Sequence, residues 1–173
     1  MPGAVYLPFC GDGDIAAELY SDRPLFAIDQ DPARIATFKS RFPAATALTA
    51  DCSLWHPPPP GMVFSVADFD AYANPYQSFE AFWTEAPKTS PLVCCFTDGI
   101  KHALLLHRMT KVWDLAAHCQ RPATINEARG QYNFWFRRHA LPHVQSVVSP
   151  CQVRNVSFYT RRNMIYWGCV IHG

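Results

Sequence analysis

The sequence has little that would place it in a membrane or tie it together by metal or disulfide. Its 173 residues contain no apolar run near the ~20 needed to cross a bilayer. The opening Met1-Pro2-Gly3-Ala4 has neither a basic stretch nor a long apolar core, so no secretory leader is expected. The seven cysteines are scattered, two of them adjacent as Cys94-Cys95, and no CxxC pair occurs. Neither a zinc site nor a disulfide framework is therefore expected, and a reducing cytoplasm is the expected location. Internal repeats are absent. Acid is scarce in the second part of the chain: residues 100–173 hold 2 Asp/Glu against 10 Lys/Arg, whereas residues 1–99 hold 12 against 5. Six of the seven histidines also lie in the second part. That asymmetry points to a polyanionic partner such as nucleic acid, or to two halves that neutralise each other in the fold.

What is present suits one folded domain over residues 1–173: 49% of residues are hydrophobic and 17% charged. Strands are expected at Ala4–Phe9, Pro24–Ile28, Thr46–Ala50, Met62–Ala67 and Pro91–Phe96. A helix from Asp14 to about Tyr20, with Asp14 as its cap, follows the first strand. A second runs from Pro32 to about Arg41, where Asp31 before proline is a strong start signal. The four prolines within His56–Gly61 make a rigid loop. Gln77–Glu85 reads as helical, with Phe79, Phe82 and Trp83 at helical spacing. Long helices are expected over about Ile100–Cys119 and Thr124–Ala140. Gln152–Thr160 and Met164–Ile171 read as a hairpin around Arg161-Arg162-Asn163. Alternating strands and helices imply an α/β fold, a mostly parallel sheet with helices on both faces, and the final hairpin adds an antiparallel strand. Ligands of such sheets bind at the carboxyl ends of the strands.

The first of those ends is Phe9-Cys10-Gly11-Asp12-Gly13. Two glycines at i and i+2 allow a tight turn and close approach of a ligand to the backbone. The third glycine of a dinucleotide fingerprint is missing, which argues against an NAD-type reductase. Asp29 ends the second strand, where a carboxylate can accept from both ribose hydroxyls of a nucleoside. Gln30 follows it. Asp51 ends the third strand, with Cys52 and Ser53 as neighbouring contacts. After the fourth strand comes Asp68-Phe69-Asp70-Ala71-Tyr72-Ala73-Asn74-Pro75-Tyr76. An exocyclic amine is a poor nucleophile, and a carboxylate or amide oxygen that accepts its N–H can localise the lone pair and take the proton. Aromatics such as Tyr72 or Tyr76 can stack a base.

Leu7-Pro8-Phe9-Cys10-Gly11-Asp12-Gly13 resembles the D-P-F-x-G-S-G stretch of S-adenosylmethionine (SAM)-dependent amino-methyltransferases, with Leu7 where that family usually has an acid. Asp68–Tyr76 is similar to the D-x-D-P-F-G-S-P motif of tRNA guanine-N2 methyltransferases. It is a looser relative of the D-P-P-Y motif of adenine-N6 enzymes. Both acids, an aromatic and the second proline are kept; Ala71 and Ala73 replace a proline and a glycine. Phe96-Thr97-Asp98-Gly99 resembles the T-D segment of the same guanine enzymes. The resemblance covers about residues 4–100. It implies a Rossmann-like class I methyltransferase fold with SAM as cofactor and no metal. It implies a cofactor site of Phe9, Cys10, Gly11, Gly13, Asp29, Gln30, Asp51, Cys52 and Asp68, Asp51 accepting from the adenine amino group. Asp70 is the first choice for the catalytic carboxylate and Asp68 the second, with Tyr72 and Asn74 beside them. Tyr76, Thr97 and Asp98 would line the acceptor pocket.

Gln131–His139 interleaves aromatics and cations. Arg137 and Arg138 there, with Arg161 and Arg162 at the hairpin turn, are candidate phosphate contacts; Phe134 and Trp135 read as core. Pro150-Cys151 lies before the sixth strand rather than after the fourth, which argues against a cysteine nucleophile. The expected function is N-methylation of a nucleobase amine in RNA or DNA. The alternatives are a SAM-binding but catalytically idle partner subunit, or a methyltransferase acting on a small molecule or protein. Without a separate recognition domain, holding a large substrate falls to the basic second half, to a second copy of the chain, or to a partner protein.

Overall fold

The computed structural model describes residues 3–71, 74–99, 136–161 and 164–173. Tyr72, Arg162, the helix expected over Ile100–Cys119 and most of that expected over Thr124–Ala140 lie outside the described residues. The chain begins with β1 (Ala4–Pro8), α1 (Asp14–Leu19), β2 (Leu25–Asp29), α2 (Pro32–Arg41) and β3 (Thr46–Thr49). It continues through β4 (Phe64–Asp70), α3 (Tyr76–Glu85) and β5 (Lys88–Asp98). A π-helical turn (Phe136–Ala140) leads into α4 (Leu141–Val148), then β6 (Gln152–Arg161) and β7 (Met164–His172). One seven-stranded sheet has the order β3-β2-β1-β4-β5-β7-β6. Its first five strands pair in parallel, and β7 runs antiparallel to both β5 and β6. This is the expected α/β architecture with an antiparallel strand near its end. The strand order reverses between β1 and β4, which opens a crevice at their carboxyl ends.

β1 and β2 are buried along their whole length, as inner strands covered on both faces must be. On one face Val5, Leu7, Leu25, Ala27, Ala47 and Val66 meet Ala16 and Tyr20 of the α1 region and Ile35 and Phe38 of α2. On the other, Tyr6, Phe26, Phe64, Phe69, Phe96 and Trp167 meet Tyr76, Phe79 and Phe82 of α3 and Val144 and Val148 of α4. The second core is strongly aromatic: Phe96 stacks on Trp167 at 4.2 Å and Tyr6 on Phe82 at 4.8 Å between centroids. Among the described residues, no helix is long and apolar enough to cross a membrane.

Four boundaries depart from the sequence expectation. Asp14 is not the cap of α1: Gly13 holds that position with φ +82°, and the Asp14 carboxylate pairs with Arg41 at 2.7 Å. β4 runs on to Asp70 instead of stopping at Ala67, and β5 spans Lys88–Asp98 rather than Pro91–Phe96. Helical structure does not end at Ala140 but goes on as α4, with Pro142 in its first turn, where the missing N–H leaves no helical bond unmade. By contrast α2 starts as expected: the Asp31 carboxylate accepts from the Ala33 N–H at 2.8 Å, with Pro32 beside it.

Gly13 is a point where only glycine fits. A Cβ there would lie 2.8 Å from the Phe38 ring and 2.9 Å from the Phe42 ring, in a left-handed conformation. Gly13→Ala is therefore expected to destabilise the fold by about 2 kcal/mol. Gly11→Ala, with φ +53° and no atom within 4 Å of its Cβ, should cost about half that, ~1 kcal/mol. Urea titrations of the two variants check the order; a Gly11 variant less stable than the Gly13 variant would contradict it.

Candidate active site

A cavity of about 380 Å³ opens where β1, β2 and β4 end. Leu7, Pro8, Phe9, Cys10 and Gly11 form one wall, and Asp29, Gln30, Arg34 and Cys52 another. Asp68 and Asp70 of β4 close a third side, and Asp12, Asp14, Ile15 and Ala16 complete the lining.

The β1–α1 turn is shaped from its backbone. Phe9, Gly11 and Gly13 all have positive φ, at 65°, 53° and 82°. The turn is tied to β2 by two bonds: the Cys10 N–H donates to the Ile28 carbonyl at 3.0 Å, and the Gly11 N–H to Asp29 Oδ2 at 3.0 Å. Asp29 Oδ1 accepts from the Asp31 N–H at 2.9 Å. Each Asp29 oxygen thus has one backbone donor and keeps lone-pair capacity for a ligand hydroxyl. The Cys10 thiol is pushed up to about 12 and that of Cys52 to about 11, by burial first and then by the Asp29 charge for Cys10. Both are neutral thiols, apolar lining rather than nucleophiles.

The β4 side is set by strand alternation. Phe69 points into the aromatic core, against Phe79, Phe82 and Phe96 at 5.2–5.8 Å. Asp68 and Asp70 consequently share the opposite face and line the cavity. Asp68 is only 7% exposed. Burial raises its carboxyl to about 6; the hydrogen bond from the Tyr20 hydroxyl to Oδ2, at 2.9 Å, favours the anion, and the Asp70 charge opposes it. Asp70 is half-buried at the mouth, next to Thr97 of β5 in register.

Of the residues singled out from sequence, the structure brings Phe9, Cys10, Gly11, Asp29, Gln30, Cys52, Asp68 and Asp70 to this one cavity. Others it places elsewhere. Gly13 shapes the turn from beneath. Asp51 is exposed outside the lining; its Oδ1 accepts from the Ser53 N–H and hydroxyl and from Gln30, and the Ser53 backbone bond holds its carboxyl below the usual range. Asn74 accepts from the Tyr76 N–H at 2.9 Å and so fixes the start of α3. Tyr76 and Asp98, expected to line the acceptor pocket, are instead buried together, the hydroxyl donating to Asp98 Oδ2 at 2.8 Å. Tyr76 is drawn inward because it opens an amphipathic helix whose apolar face continues through Phe79 and Phe82. Thr97 is buried. Arg137 and Arg138 are exposed, and Arg137 lies 5.9 Å over the Phe158 ring. Arg161 ends β6.

Two residues were missed. Arg34 reaches the cavity from the first turn of α2, and Tyr20 reaches Asp68 from the end of α1. The only local signal for Arg34 is its place one helical turn beyond the strand end that carries Asp29.

No protein-family model matches this chain, and no curated protein matches it in sequence. Solved structures do match in shape. A TehB-like SAM-dependent methyltransferase from Corynebacterium glutamicum superposes with a TM-score of 0.55 at 14% identity, over 98% of this chain and 79% of that one. The plantazolicin methyltransferase BpumL, in complex with a pentazolic desmethylPZN analog and S-adenosylhomocysteine (SAH), gives 0.60 at 10% identity, over 100% and 78%. TYW2 from M. jannaschii, in complex with AdoMet, gives 0.60 at 7% identity, over 99% and 69%. The chain has the Rossmann-like fold of SAM-dependent methyltransferases.

Proposed function

We propose that this chain is a SAM-dependent methyltransferase that methylates an amine nitrogen, and that the amine belongs to a nucleobase in RNA or DNA. The observation that carries the proposal is the convergence of a glycine turn and three carboxylates, Asp29, Asp68 and Asp70, on one cavity at the switch point of a methyltransferase fold. The residues suit the cofactor. Gly11 leaves open space where a side chain would stand, Asp29 retains acceptor capacity for ribose hydroxyls, and the apolar Leu7, Phe9, Ile15 and Cys52 in the lining would pack against an adenosine. When bound, SAM supplies an electrophilic methyl group on a sulfonium.

The chain's own part is positioning. Asp70, at the mouth, accepts the N–H of the incoming amine and takes its proton, while the turn and Asp29 hold the donor at a fixed depth. The exposed Arg137 and Arg138, in the basic second half, suit the phosphates of a nucleic acid. A small-molecule or peptide acceptor is the second reading, favoured by the neighbour crystallised with a desmethylPZN analog. The apolar Leu7 favours a third, an idle SAM-binding subunit.

Tritiated-methyl transfer from SAM to separate pools of tRNA, rRNA, DNA, protein and small-molecule extract decides among them. Label is expected in a nucleic-acid pool and is expected to disappear on nuclease treatment. Label confined to protein or small molecules would overturn the nucleobase reading, and SAM binding without label in any pool would favour the idle subunit.

A further inference from the structure

We propose that Asp68, held by Tyr20, is the counter-ion for the ammonium of the cofactor's methionine end, and so serves cofactor binding rather than proton removal from the acceptor. This deepens the SAM reading and rests on it. Each carboxylate around the cavity has a different set of partners. Asp12 is exposed, Asp14 is paired with Arg41, Asp29 is spanned by two backbone N–H groups, and Asp70 stands at the mouth. Asp29 is as deeply buried, but both of its oxygens already hold backbone donors; the partner of Asp68 among the described residues is the Tyr20 hydroxyl on Oδ2, which leaves Oδ1 with no donor among them and able to accept from a ligand.

Its place in the sheet is equally specific. Tyr6 and Ala67 are register partners in parallel strands, so the next residues, Leu7 and Asp68, adjoin on the face that lines the cavity. The β1 position that is apolar here therefore has a carboxylate one strand away. Among the described residues, the ionisable groups around Asp68 are Tyr20 at the end of α1, Cys94 and Cys95 from β5 and Asp70 from β4, and none of these is a cation. A buried anion so placed is poorly stabilised until a positive group arrives, and a carboxylate in that state binds an ammonium strongly. Tyr20 is the positioning residue: its hydroxyl occupies one oxygen, fixes the rotamer and favours the charged form.

Calorimetry with two probes separates this proposal from its parent. SAH carries the amino-acid end; 5′-methylthioadenosine has the same adenosine half without it. Asp68→Asn is expected to weaken SAH about 30-fold or more and to leave 5′-methylthioadenosine within about twofold, which also reports an intact fold. Wild-type affinity for SAH should be full above pH ~7 and fall on acidification through about 6, where Asp68 is protonated. Tyr20→Phe should move that fall to higher pH, a change that mere loss of packing would not produce. Equal weakening of both probes by Asp68→Asn, no weakening of SAH, or an unmoved pH profile in Tyr20→Phe would overturn the proposal while leaving SAM binding in place. Failure of both probes to bind the wild-type chain would remove the SAM reading and this proposal with it.

Discussion

Replacing Asp70 with alanine is expected to lower kcat for methyl transfer by about 10²- to 10⁴-fold, with SAH affinity changed by less than about threefold. The split follows from where the side chain stands. Asp70 is the last residue of β4, half-buried at the cavity mouth, two residues beyond the deep Asp68 and beside Thr97 of the neighbouring strand. A group at the mouth meets the acceptor, whose lone pair must be freed as the N–H bond weakens, so its loss should appear in the chemical step. Asp70→Asn keeps the acceptor oxygen but not the proton affinity. It should retain more activity than alanine and less than the wild type. Single-turnover transfer to the acceptor pool labelled by the wild-type chain measures all three, with SAH calorimetry alongside. Equal rates in the wild type and Asp70→Ala would take Asp70 out of the mechanism. A large loss of SAH affinity would make it a cofactor ligand instead.

Phe82→Ala is expected to destabilise the fold by about 3–5 kcal/mol. The ring is fully buried and sits among Tyr6 at 4.8 Å, Phe64 at 5.7 Å, Phe69 at 5.8 Å and Trp55 at 6.1 Å. These neighbours come from β1, β4 and the segment between β3 and β4, so truncation leaves a cavity bordered by rigid rings that cannot collapse inward. The functional consequence runs through Phe69. That ring is clamped by Phe79, Phe82 and Phe96, and its orientation keeps Asp68 and Asp70 on the other face. Tyr159→Ala on the exposed hairpin, where the residue is 61% exposed, should change stability by less than about 0.5 kcal/mol and serves as control. Guanidinium titrations compare them. A loss below about 1 kcal/mol for Phe82→Ala would mean that α3 is not seated on β1 and β4 as described.

The parts of the fold that were legible in the sequence are those governed by local chemistry. Asp31-Pro32 announces α2, the glycine pair after β1 announces a tight turn, and the apolar run Met164–Ile171 after the Arg161-Arg162-Asn163 turn announces a strand. The end of β4 was misread because a charged residue normally terminates a buried run. Here Asp68 and Asp70 continue the strand, since the face they occupy opens onto a cavity while Phe69 stays in the core. The helix over Leu141–Val148 was not anticipated; Pro142 lies in its first turn, where it removes no needed donor. Tyr76 sits beside a motif in which an aromatic was expected to stack a substrate. Its spacing to Phe79 and Phe82 is that of a buried helix face, and this signal was available. The Tyr20–Asp68 bond joins residues 48 apart, through the packing of α1 on the sheet, and no local pattern carries it. The cavity lining was legible at the ends of β1, β2 and β4, where a glycine turn or a carboxylate stands, but not at the end of β3, where Asp51 lies outside it. The acceptor side was not legible, because it depends on how distant segments meet.

The most direct test is a crystal structure of the chain with SAH. The expected electron density fills the β1–β2–β4 cavity, with ribose hydroxyls within hydrogen-bonding distance of the Asp29 carboxylate and the amino-acid portion passing Gly11 toward Asp68. SAH bound elsewhere on the chain, or a well-ordered cavity holding only solvent at saturating SAH, would contradict the assignment of this crevice as the methyl-donor site.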